Sequence, residues 1–104
     1  MQYWFPNVAY VPQSDWDALP HDEYPIYSPA LIVEVLSPPN SAVKLNRQRI
    51  LAMSACTEEF WIVDLEGRTV YVTNLSGART YAPGEAIQLK IFGGTIAVDD
   101  IFAV

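Results

Sequence analysis

Blocks of apolar residues separated by turn-forming residues set out the elements of this chain. Val8 to Val11 is a short apolar run closed by Pro12, which predicts a brief strand. Residues 12–29 then hold four prolines and four acids, a composition that predicts a long surface loop. Leu31 to Leu36 is apolar at every position but one, the pattern of a strand buried on both faces near the middle of a sheet. Ser37-Pro38-Pro39 stops that strand, and Asn40 or Ser41 can cap a helix running to about Ala55. Within it Val43, Ile50 and Met53, with Ala42 and Ser54 beside them, predict the buried stripe, and Lys44, Gln48 and Leu51 a neighbouring one. Glu59 to Leu65 predicts the next strand. Glu66-Gly67 reads as a two-residue turn, and Thr69 to Leu75 returns as the second arm of a hairpin. Turns at Ser76-Gly77 and Pro83-Gly84 separate short strands around 79–81, 87–91 and 95–98. This order of elements predicts a mixed α/β domain with one main helix.

The exception in the apolar strand is Glu34. A charge in that setting needs a cation, a hydrogen-bond donor or a metal, because an unpaired buried ion is strongly unfavourable. Two readings follow: a metal-ligating carboxylate, or a structural acid paired with Lys44 or an arginine.

Composition narrows the classes. At 104 residues, 51% hydrophobic and 17% charged, the chain is expected to fold as a single domain over 1–104, with some apolar surface covered by a partner. The net charge of −6 argues against gripping duplex DNA by bulk electrostatics alone. Three of the six basic residues, Lys44, Arg47 and Arg49, fall within six positions, which ordinarily marks a solvated helix face. Cys56 is the only cysteine, which excludes an intrachain disulfide, and its surroundings predict an inert thiol. The absence of a signal-peptide pattern or a membrane-length apolar run leads to the expectation of a soluble cytoplasmic protein. His21, beside Asp22 and Glu23, lacks the spacing of a metal-ligand set. Phe60 and Trp61 are expected in the core, and Tyr3, Trp4 and Trp16 at contact surfaces.

Three segments carry a family resemblance: PALIVEVLSPPN, EFWIVDLEGRTVYV and YAPGEAIQLKIFGGTIAVDDIF. Together they resemble the restriction endonuclease family called Uma-two, within the PD-(D/E)XK nuclease superfamily. The resemblance implies a restriction-endonuclease-like mixed β-sheet with one main helix, DNA as the partner and Mg²⁺ as cofactor. In such a site a Pro-Asp on one strand and a Glu on the next hold the cation, and a lysine on the following helix faces the scissile phosphate. Carried onto this chain, the Glu is Glu34, the Asp falls on Asn7, and the lysine, counted back from Trp61, falls on Gln48; Lys44 stands one turn earlier. Another aspartate common in the second strand is Ala30. The resemblance thus implies a site with two of three charged groups replaced by amides, hence a weak or inactive nuclease. It also implies that opening strands and helices usual in the family are missing ahead of Phe5. A second copy of the chain, or another protein, would then cover the sheet edge left open. The alternative function on this reading is a non-enzymatic interaction or dimerisation module derived from a nuclease fold.

Overall fold

A computed structural model describes residues 8–18, 29–36 and 41–103. A five-stranded sheet runs β1 (Val8–Tyr10), β2 (Leu31–Leu36), β3 (Glu59–Asp64), β4 (Thr69–Asn74) and β5 (Gly77–Tyr81), in that spatial order. Only β2 and β3 are parallel; the other neighbours are antiparallel. A parallel pair needs a crossover, and helix α2 (Ala42–Ser54) supplies it. A short helix α1 (Gln13–Ala18) follows β1, and a two-stranded ribbon of β6 (Ala86–Gln88) and β7 (Thr95–Ala97) leads into helix α3 (Val98–Ile101).

Strand alternation gives the sheet two apolar faces. On one, Ile32, Phe60 and Ile62 pack against Leu45 and Ala52 of α2. On the other, Leu31, Trp61, Val63, Val70 and Val72 pack against Ile87, Val98 and Phe102 from β6 and α3. The β2 strand is therefore apolar at every position but Glu34 because it lies between covered faces, as its sequence predicts.

Ser41 caps α2, its hydroxyl accepting from the Lys44 amide at 3.1 Å. At the other end Cys56 takes φ +78°, the left-handed conformation that ends many helices, and Thr57 N–H donates back to the Ala52 carbonyl at 3.0 Å.

Three expectations are corrected. The inward face of α2 is Leu45 and Ala52, with Met53 packed beside them as its spacing predicts, whereas Val43 and Ile50 are 69% and 57% exposed. Apolar residues occur around the whole helix, so their spacing did not single out the face that meets the sheet. The β3–β4 loop has four residues, 65–68, because Asp64 accepts from the amides of Glu66 (3.1 Å) and Gly67 (3.0 Å) and folds the turn around itself. A Cβ on Gly67 would lie 2.8 Å from Oδ2 of Asp64, so glycine is what lets that carboxylate approach. Finally, part of the expected long loop is α1, where Trp16 N–H reaches the Pro12 carbonyl at 2.9 Å and the Gln13 amide donates to Asp17 at 2.8 Å.

Candidate functional site

Glu34 sits opposite Ile62 in the β2–β3 ladder, on the face that meets α2, and is 5% exposed. Ile32 lies two residues before it and Leu36 two after it on that face, so the carboxylate occupies an apolar layer between sheet and helix. From the helix side Gln48 points into the same layer: it stands between Leu45 and Ala52, one turn from each. The Gln48 Oε1 is buried and has no hydrogen-bond partner among the described residues. The fold thus sets Glu34 on the sheet face, and Gln48 on the helix side, of the same packed layer, although the two are distant in sequence.

The other residues singled out by sequence fall elsewhere. Lys44 is exposed on the first turn of α2, about 40° around the helix from Gln48. Arg49 is drawn onto the sheet, its guanidinium carbon 5.7 Å from the centre of the Tyr71 ring and its Nε 3.4 Å from Asn46 Oδ1. Arg47 is exposed. Asn7, His21, Tyr3 and Trp4 lie outside the described residues, and Trp16 is 49% exposed. Cys56 is exposed, with a free thiol.

Among the described residues no group of three or more His, Cys, Asp or Glu side chains is placed to hold a metal ion. Glu34 and Gln48 nevertheless bring oxygen atoms, the donor type that hard cations such as Mg²⁺ take. The partnerless Gln48 Oε1 is the atom such an ion would satisfy. The pair fits a divalent cation by donor chemistry, with a single negative charge to hold it.

The chain matches the family Uma2, described as "Putative restriction endonuclease", over residues 2–99. The chain belongs to this family. Its fold also matches the crystal structure of a nuclease, termed putative and assigned to DUF820, from Anabaena variabilis ATCC 29413. The TM-score is 0.70 at 18% identity, with 83% of this chain and 52% of that chain covered. At that identity the likeness shows a shared nuclease-like fold, and the Uma2 chain spans about half the length of the solved protein. No curated protein matches it. Among the described residues no helix is long and apolar enough to cross a membrane.

One polar group escapes the sequence pattern. Glu59 opens β3, where an acid ahead of an apolar run looks like a strand's solvent-facing start, yet it is 3% exposed. Burial raises its carboxyl pKa above the ordinary 4.5, against the smaller opposing pulls of the Trp61 indole, Lys90 and Asn74.

Proposed function

We propose that this chain is a DNA-directed member of the restriction-endonuclease fold whose phosphodiesterase site, the layer between β2 and α2, retains little or no turnover. The observation that supports this is the buried Glu34 carboxylate on the sheet face that packs against α2, together with a Gln48 Oε1 that is buried with no hydrogen-bond partner among the described residues. In this reading Glu34 is the principal metal ligand and Asn7 an auxiliary one. Gln48 presents its amide to the scissile phosphate, with Lys44 at the rim. A bound Mg²⁺ supplies an acidified attacking water and positive charge at the phosphate. The chain's own residues hold and orient: the Glu34 carboxylate fixes the cation-binding position, and the Gln48 NH₂ donates to a phosphate oxygen. Neither amide contributes formal charge, so the cation is held weakly and developing negative charge is poorly balanced.

Calorimetry with Mg²⁺ and Mn²⁺ tests this directly. The expected result is weak, saturable binding that disappears in Glu34→Ala, with slow or undetectable nicking of supercoiled plasmid. Absence of binding at millimolar ion, or binding unchanged in Glu34→Ala, would sink the metal-site reading.

A second reading, an interaction module derived from the nuclease fold, is favoured by the outer face of α2. Val43, Ile50 and Leu51 are 69%, 57% and 41% exposed there. Self-association through that face should be lost in Val43→Ser/Ile50→Ser. A strictly monomeric species by light scattering at high micromolar concentration excludes the homodimer.

A further inference from the structure

The sheet face turned away from α2 carries polar groups that the nuclease reading does not use. Glu59 on β3 pairs with Asn74 on β4, which pairs in turn with Gly77 on β5. Arg79, two residues along β5, pairs with Val72 and shares the face of Trp61 and Glu59. Gln88 of β6 and Lys90 beyond it line the same space. Together these groups line a cleft of about 290 Å³. No heavy atom lies within 4 Å of where a Gly77 Cβ would stand, which leaves the mouth open.

Several buried side-chain atoms lack a hydrogen-bond partner among the described residues, and of these Glu59 Oε1 belongs to the lining of the cleft. Glu59 is almost wholly buried, and its Oε1 meets no donor at hydrogen-bonding geometry among the described residues. Leaving a buried acceptor unsatisfied is unfavourable, and such atoms call for an explanation, a missing ligand among them. The raised carboxyl pKa has the same origin: neighbouring Trp61, Lys90 and Asn74 only partly offset desolvation.

The rim has the opposite character. Arg79 and Lys90 are two of only six basic residues in a chain of net charge −6. Arg79 is held in place by Glu85 at 2.8 Å and by the Tyr81 ring, whose centre is 4.5 Å from its guanidinium carbon. A guanidinium has five N–H donors, so this anchoring leaves donors to spare. Two strand spacings and one side-chain repeat place the Glu59 and Arg79 Cα atoms roughly 12 Å apart. An acceptor on the floor and two cations at the rim suit a ligand with an N–H donor at one end and an anion at the other.

We propose that this cleft binds a small bifunctional molecule whose N–H group meets the Glu59 carboxyl and whose anionic group meets Arg79 and Lys90. The volume, at the lower end of ligand-binding pockets, limits it to something the size of a nucleoside monophosphate or an α-amino acid, both of which carry this chemistry. The site lies on the opposite face of the sheet from Glu34 and Gln48 and does not rest on the nuclease reading.

Calorimetry on the full chain with dCMP, L-alanine and inorganic phosphate tests the proposal. Either dCMP or L-alanine is expected to bind with one-to-one stoichiometry at least tenfold more tightly than phosphate, and the tighter of the two identifies the source of the ligand. Binding should weaken at least tenfold in Arg79→Ser/Lys90→Ser, which changes only exposed side chains, and in Glu59→Leu. It should be unchanged in Arg68→Gln, at the far end of the β3–β4 hairpin. Should Glu59→Leu fail to fold, the surface double variant alone decides. No saturable binding of dCMP or L-alanine at millimolar concentration would overturn the proposal. So would phosphate binding as tightly as both, or affinity unchanged in the double variant.

Discussion

Replacing Leu45 or Ile50 with alanine asks which face of α2 meets the sheet, and hence whether Gln48 points at the Glu34 layer. Leu45 is 1% exposed against Ile32, Phe60 and Ile62, whereas Ile50 is 57% exposed on the opposite side. Leu45→Ala removes three buried carbons, about 2.4 kcal/mol of transfer free energy at roughly 0.8 kcal/mol each. The unfilled space brings the loss to about 3 kcal/mol or more. With a urea m-value of about 1–3 kcal/mol/M, the midpoint should fall by roughly 1–3 M, or the Tm by more than about 10 °C. Ile50→Ala removes a mostly solvated side chain and gains a few tenths of a kcal/mol of helix propensity, so its net effect should stay within about 0.5 kcal/mol. Urea titrations of the two variants, followed by far-UV circular dichroism, measure both. If Ile50→Ala cost as much as Leu45→Ala, the helix would be rotated by nearly half a turn. Gln48 would then face away from Glu34, and the candidate site would dissolve.

Gln48→Leu should raise stability by about 1 kcal/mol in the same titration, because it replaces a buried amide whose Oε1 has no partner among the described residues. Cys56→Gly should raise it by about 0.5–1 kcal/mol, since φ +78° penalises a side chain but not glycine; an unchanged midpoint would argue against the left-handed cap. Two carboxylates should shape the pH profile in opposite senses. Glu59 has its pKa raised above 4.5 by burial, so in the window between 4.5 and its folded-state value the folded chain holds a proton that the unfolded chain releases. Its contribution is full below pH 4.5 and is lost as pH rises through the folded value. Glu85 has its pKa lowered by the Ala82 amide at 2.7 Å and by Arg79. Its contribution is present above 4.5 and is lost as pH falls through the folded value. Urea midpoints from about pH 3 to about pH 8 should therefore show the alkaline decline flattened in Glu59→Gln and the acid decline flattened in Glu85→Gln.

What the sequence made legible tracks how locally each feature is determined. The β2 and β3 strands could be read because covered faces leave most positions apolar, β4 because Val70 to Val72 follow the turn signal at Glu66-Gly67, and α2 because Ser41 and the two prolines before it mark its start. The orientation of α2 was not legible. Its inward face consists of Leu45, a glutamine, an alanine and the half-buried Met53, while the branched apolar residues Val43 and Ile50 face out. The β3–β4 loop departs from its sequence pattern for a similar reason: Asp64 reads as the polar end of a strand, yet its carboxylate organises the turn. Glu34 stood out because every residue beside it in the strand is apolar. Glu59 did not, because it is followed by apolar residues but preceded by polar ones, and the strands that flank it, through Leu31 and Asn74, are set by pairing rather than by its own neighbours in sequence.

The two buried acids make the sheet a useful control on itself. Glu34 and Glu59 lie on neighbouring parallel strands, but they belong to opposite faces and to different layers of the core. A general loss of packing would weaken both faces, whereas loss of a specific site weakens only one. Glu34→Ala should therefore abolish cation binding and leave dCMP or L-alanine binding intact, and Arg79→Ser/Lys90→Ser should do the reverse. Such reciprocal losses cannot arise from a shared defect in folding, because each variant retains the function that the other lacks. Loss of both activities in either variant would mean that the faces are coupled through β3. In that case the cleft and the Glu34 layer would be one site read from two sides, and the small-molecule ligand would become a candidate regulator of the nuclease face.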